Sequence, residues 1–176
     1  ARGQRDDGSD CCARRIAAPV GFSPALIVVQ CATGPKSVSS TEGMTLTKMS
    51  SPYYPAWLAT HDADVAAALK FIDDGDLAGL GTIMESSTLK MHAAILASQP
   101  GLWYWRAATW AVIDAVVDAR HRGIPAFFTM DAGPHVKVLC HEHTALALAA
   151  ELSPVLGVVD VKIAKPGPGA KVLEAR

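Results

Sequence analysis

The chain has almost no excess charge: 16 Lys and Arg stand against 17 Asp and Glu over 176 residues, a net charge of −1. That balance leaves no electrostatic case for nucleic acid or for an acidic membrane surface. No apolar run approaches the ~18–20 residues of a membrane span. The polar start, residues 1–8, carries no signal-peptide core. Cysteine is scarce and badly spaced. Cys11, Cys12, Cys31 and Cys140 match no zinc pattern, and adjacent Cys11 and Cys12 are poor partners for a structural disulfide. A reducing, cytoplasmic setting is the simplest. Cys140-His141-Glu142-His143 offers two histidines at i, i+2 with no second cluster, so no metal site is expected there.

What is present is a half-apolar composition, one-fifth charged, with room for one domain and one core. Residues 1–24 mix charges with Pro19, Gly21 and Pro24 and do not read as a fold of their own. Residues 25–32 are apolar and β-branched and read as a buried strand. Ser39 and Glu42 have capping-box spacing, so a helix is expected from there to about Ser50. Pro52 and Pro55 should break it. A short helix is expected around Tyr54, Trp57 and Leu58, then another over residues 61–73, stopped by Gly75. Leu77, Leu80, Met84, Met91 and Ile95 lie on one helical stripe within residues 76–98. Trp110, Ile113, Val116 and Val117 form the stripe of the next helix, closed by Gly123 and Pro125. Two strands flank Asp131, a short helix covers residues 142–151, and a last strand covers residues 156–163.

This order predicts an α+β fold, with a ferredoxin-like four-stranded antiparallel sheet and a helical layer on one face. The most informative stretch lies between its second and third strands. Residues 126–130 are apolar and end in one acid, Asp131; Ala132-Gly133-Pro134 turns, and residues 135–139 leave in the other direction. Gly133 can take positive φ and Pro134 has no N–H, so the backbone can approach a ligand closely, with a carboxylate beside it. A hairpin whose Asp merely caps its own turn is the alternative.

Five segments in order resemble the diphosphomevalonate (mevalonate diphosphate) decarboxylases of the GHMP kinase superfamily. They are Val38-Ser-Ser-Thr-Glu-Gly-Met44, Met49-Ser-Ser-Pro-Tyr53, residues 82–93, Tyr104-Trp-Arg-Ala-Ala-Thr-Trp110 and Phe128-Thr-Met-Asp-Ala-Gly-Pro134. The resemblance covers about residues 25–170 and implies a GHMP kinase C-terminal domain over residues 25–176. Residues 1–24 would then be the remnant of an N-terminal domain. It implies a reaction in which ATP, with Mg2+, phosphorylates the tertiary hydroxyl of mevalonate 5-diphosphate. Phosphate and CO2 then leave, giving isopentenyl diphosphate. Asp131 matches the family's essential carboxylate, and a carboxylate can orient that hydroxyl and take its proton. Ser39 and Ser40 match positions of phosphate or substrate contacts, where a helix N-terminus suits an anion.

Gly8-Ser-Asp-Cys-Cys-Ala-Arg-Arg15 resembles the family's substrate loop, which places Ser9 and Arg14 as substrate contacts, Arg14 as a fork for a carboxylate. The family's phosphate loop and early lysine have no counterpart here, so the ATP side is expected outside this chain. Lys90 and His92 share one helix, and a lone histidine reads as a packed or surface residue and not as a catalyst. Arg106 stands where the family often has Asn. The expected partner is the small-molecule substrate, with a homodimer or a missing N-terminal half completing the protein. Phosphomevalonate decarboxylase or mevalonate kinase activity, and a non-catalytic binding or dimerisation module, are the alternatives.

Overall fold

Seven residues, Pro24–Gln30, form the central strand β1, and every second side chain (Ala25, Ile27, Val29) is fully buried on one face. The computed structural model describes residues 5, 7–10 and 16–167. After β1 come four helices: α1 (Ser40–Ser50), α2 (Tyr54–Asp74), α3 (Leu77–Leu96) and α4 (Ala107–His121). Strands β2 (Ala126–Thr129) and β3 (Val136–His141), helix α5 (Glu142–Leu152) and strand β4 (Asp160–Ala164) complete the fold. The sheet order is β2-β3-β1-β4, with every neighbouring pair antiparallel. This is the ferredoxin-like order, with three helices inserted before the usual first one.

Alternation along the strands sorts two cores. Ala25, Ile27 and Val29 join Val136, Val138, Cys140, Ala126 and Phe128 on one face, covered by Val112 and Val116 of α4 and Leu148 and Leu152 of α5. On the opposite face Phe127 and Leu139 pack against Leu77 of α3, with Phe22, Leu80 and Met84 around them. The expectation of a single covered face is therefore corrected: α3 covers the second face over β2 and β3. A third cluster, Ile95, Tyr104 and Ala132, joins α3 to the turn after β2, with Met44 of α1 packed on it.

Three local expectations also change. Pro55 starts a helix instead of breaking one. It occupies the first turn of α2, where its missing N–H costs nothing, and a single 21-residue helix replaces the two shorter ones. The buried stripe of α4 runs through Ala108, Val112, Ile113, Val116 and Ala119, while Trp110 is largely exposed. The last strand starts at Asp160, and Leu156 lies exposed before it. The capping box at Ser39 forms: its hydroxyl accepts from Glu42 N at 3.2 Å, and its own N–H donates to Glu42 Oε2 at 3.0 Å. No helix among the described residues is long and apolar enough to cross a membrane.

Candidate active site

The strand β2 ends at Thr129, and the chain turns through Asp131, Ala132, Gly133 and Pro134 before β3 begins. Ala132, Gly133 and Pro134 are buried, whereas the Asp131 side chain is 88% exposed. Gly133 has φ +92°, a backbone conformation closed to most L residues. Two helices hold this turn by its carbonyls. From α4, Thr109 Oγ1 donates to Pro134 O at 2.9 Å and accepts from Arg106 N at 3.1 Å. From α3, His92 Nε2 lies 2.8 Å from Asp131 O, and Trp105 Nε1 donates to His92 Nδ1 at 2.8 Å.

An indole N–H can only donate, so His92 Nδ1 must accept and its proton sits on Nε2. Nε2–H therefore donates to the Asp131 carbonyl. Burial pushes the His92 pKa down, which keeps the ring neutral, against the opposing pull of the Asp131 and Met130 carbonyls. Thr88 and Thr129 share a hydroxyl contact at 3.0 Å, tying α3 to the end of β2.

Facing the Asp131 turn is the start of α1. Ser39 is committed to structure: its hydroxyl caps the helix and its carbonyl accepts from Tyr104 Oη at 3.0 Å. Ser40 is differently placed. Its Oγ accepts from Lys36 Nζ at 3.3 Å, and it lines a cavity of about 210 Å³ together with Met44, Met91, Ile95, Tyr104, Asp131 and Ala132. Burial raises the Tyr104 pKa, helped by Glu42, so its hydroxyl stays protonated as a donor. A second cavity, about 360 Å³, runs between α2 and α3 and also reaches Asp131. Asp131 thus lines both cavities.

A lysine stands beside it. Lys137 Nζ bonds Asp131 Oδ2. His135, whose Nδ1 accepts from Cys31 N at 3.2 Å, has its pKa lowered by burial and then by Lys137 and Lys36. An exposed ion pair such as Asp131–Lys137 contributes little net stability, so an arriving ligand can rearrange it cheaply.

The family of the mevalonate 5-diphosphate decarboxylase C-terminal domain matches residues 25–165. The chain belongs to that family. Human diphosphomevalonate decarboxylase is 26% identical over 153 residues, 84% of this chain and 38% of that protein. The crystal structure of mevalonate diphosphate decarboxylase from Staphylococcus aureus is 32% identical with a TM-score of 0.73, over 84% of this chain and 48% of that one. The structure of MDDEF in complex with MVAPP, AMPPCP and magnesium is 32% identical with a TM-score of 0.72, over 81% of this chain and 46% of that one. The chain spans less than half the length of these decarboxylases.

Of the residues the sequence singled out, the decarboxylase domain brings Asp131 and Ser40 to one cavity. Ser39 lies beside them as a cap. Ser9 lies in an exposed turn, where its N–H donates to Asp7 Oδ1 at 3.0 Å, and it lines neither cavity. Arg14 lies outside the described residues. Sequence reasoning missed Lys36 and Lys137, and it read His92 as a packed or surface residue. No signal in the chain marks His92, because its partners are a backbone carbonyl and an indole distant in sequence. Among the described residues no group of three or more His, Cys, Asp or Glu is placed to hold a metal ion. Mg2+ is ordinarily held by one or two carboxylates together with substrate phosphates and water, so its place would be set by the bound phosphates and not by a protein cluster. His141 and His143 stack at 5.3 Å as surface neighbours.

Proposed function

We propose that this chain supplies the acceptor side of ATP-dependent decarboxylation of mevalonate 5-diphosphate to isopentenyl diphosphate. Family membership supports the reaction class. The observation that carries the site is Asp131, its side chain exposed, lining one cavity with Ser40 on a turn fixed at two carbonyls. In this reading Asp131 accepts a hydrogen bond from the tertiary hydroxyl and takes its proton as the oxygen is phosphorylated. Ser40 Oγ and Lys36 face the anionic end of the substrate, and Lys137 shares the carboxylate's charge. Met44, Met91 and Ile95 give the methyl-bearing carbon an apolar wall. Arg14 would pair with the substrate carboxylate, as its match to the family loop implies.

The same reading places phosphoryl donation beyond these residues. Holding both reactants is worth about 7–11 kcal/mol in such reactions, so the chain by itself is expected to bind substrate without normal turnover. The decisive experiment is calorimetric titration of the full chain with mevalonate 5-diphosphate, mevalonate 5-phosphate and mevalonate, alongside an assay of ATP-dependent CO2 release. Saturable binding is expected, strongest for the diphosphate. It should weaken about three- to tenfold in Ser40→Ala, the worth of one lost hydrogen bond, and also in Asp131→Asn, which loses a charge-assisted one. Tightest binding of the monophosphate or of mevalonate would move the reading to phosphomevalonate decarboxylase or mevalonate kinase. Absence of binding would refute the half-site, and turnover at an ordinary enzyme rate would refute its incompleteness.

A second reading, a non-catalytic binding or dimerisation module, is favoured by the exposed Leu146 and Leu156. It expects no affinity for these ligands and a concentration-dependent dimer by sedimentation. The assembly we propose is in either case a homodimer, or this domain joined to an N-terminal half of the family's kind. Exposed Leu146 and Leu156 support a covered surface. Free, buried Cys31 and Cys140 support a reducing compartment such as the cytoplasm.

A further inference from the structure

We propose that Trp105 and His92 form a tautomer-locked positioning pair that sets where the Asp131 carboxylate stands. This deepens the reading of Asp131 as the acceptor-side base, and it rests on that reading for its functional meaning. The geometry behind it is a chain of two hydrogen bonds, Trp105 Nε1–H to His92 Nδ1 and His92 Nε2–H to Asp131 O, each 2.8 Å. His92 is 2% exposed, so water cannot stand in for either partner. The two rings also meet edge to face, with centroids 5.1 Å apart, and the Trp110 ring lies against Trp105 with centroids 4.4 Å apart. The indole is therefore itself held in place.

The arrangement is conditional in a way that a plain turn clamp is not. A hydroxyl, like that of Thr109, can rotate to serve any carbonyl. A neutral imidazole has one N–H, and its position depends on what the other nitrogen meets. Trp105 presents a donor to Nδ1, which leaves only Nε2 to carry the proton. The other tautomer would point N–H at N–H on one side and a lone pair at the Asp131 carbonyl on the other. Protonation would likewise break the Trp105 bond. The backbone of Asp131 is thus gripped from inside the core while its side chain stays 88% exposed toward ligand. His92 never reaches substrate in this scheme; it is a positioning residue acting through Asp131.

The test uses the 15N-labelled full chain with Trp105→Phe, His92→Gln and His92→Leu. Long-range 1H–15N correlations read the His92 tautomer, backbone relaxation reads order at Asp131, and calorimetry reads affinity for mevalonate 5-diphosphate. Wild type is expected to show one tautomer, protonated at Nε2, and a rigid Asp131 with an order parameter of about 0.85. Trp105→Phe keeps the ring packing and removes the donor, so tautomers should mix and order at Asp131 should fall toward about 0.6. Affinity should drop about three- to tenfold with it. His92→Gln can donate and accept at similar positions, and it should recover order and affinity to within about twofold of wild type, where His92→Leu does not. The proposal is overturned if Trp105→Phe leaves a single tautomer and an unchanged Asp131, or if His92→Leu leaves order at Asp131 intact. Should the wild-type chain bind no mevalonate 5-diphosphate, the acceptor-side reading falls, and the tautomer and order readouts still decide the positioning claim.

Discussion

Thr109 gives the sharpest test of how the turn is held. The residue is fully buried, and one oxygen does two jobs. It donates to Pro134 O in the turn and accepts from Arg106 N at the start of α4. Thr109→Val keeps the shape and removes both bonds. Losing the N-terminal acceptor costs about 0.5–2 kcal/mol, the range for a helix cap. Leaving the Pro134 carbonyl unsatisfied in the core costs about 1–3 kcal/mol. Together the loss is about 2–4 kcal/mol, since part of each range is recovered by relaxation. In a chain of this length 1 kcal/mol moves Tm by about 2–4 °C, so the midpoint should fall by roughly 5–15 °C. Thr109→Ser keeps the hydroxyl and loses one methyl, and should cost only about 0.5–1.5 kcal/mol. Thermal and urea unfolding followed by circular dichroism would measure all three proteins. A Val variant within about 0.5 kcal/mol of wild type would refute the double role. So would a Ser variant as damaged as the Val variant.

Two further outcomes are expected. A Cβ on Gly81 would stand 2.1 Å from Phe127 Cγ, and Phe127 is buried under α3; Gly81→Ala should therefore cost about 1–3 kcal/mol despite its better helix propensity, and Phe127→Leu should relieve part of that cost in a double-mutant cycle by urea unfolding. Stability should also fall with acid through His92 and His135, both with pKa values lowered from 6.5 by burial. Above that value both states are neutral and the contribution is full; as pH falls below it the unfolded chain takes up protons first, so stability is lost. Urea midpoints measured from about pH 7.5 to about pH 5 should decline less steeply in His92→Gln.

The parts of the fold that were legible in the sequence are those governed by local chemistry. Ser39 with Glu42 announced the start of α1 because both halves of a capping box lie within four residues. The β-branched run of β1 and the alternation of β3 read directly as strands. Long-range packing decided the rest. Pro55 looks like a breaker until its place in a helix's first turn is known. Trp110 and Val112 differ by two positions on one helix. Apolarity alone favoured the indole for the core, yet Val112 faces the sheet while Trp110 lies against Trp105. The second covered face follows from α3 folding back over β2 and β3, a distance in sequence that no periodicity measures.

The site divides along the same line, and the division says what kind of residue a single sequence can find. Asp131 was visible because a lone acid between two apolar strands, followed by Gly133 and Pro134, has few purely local explanations. Ser40 was visible through its helix start, and the structure separates it from Ser39 by giving the cap to one and the cavity to the other. Lys137 sits six residues from Asp131, on the strand leaving the same turn, and alternation would have found it had charge been followed as closely as apolarity. His92 and Trp105 had no such signal. They are 13 residues apart, one on α3 and one just before α4, and the chain they form ends on a backbone carbonyl 39 residues from His92. A catalytic group announces itself by its own chemistry, whereas the groups that aim it are ordinary core residues whose meaning lies in one bond. The sequence of this chain therefore shows Asp131 before it shows what holds the Asp131 backbone.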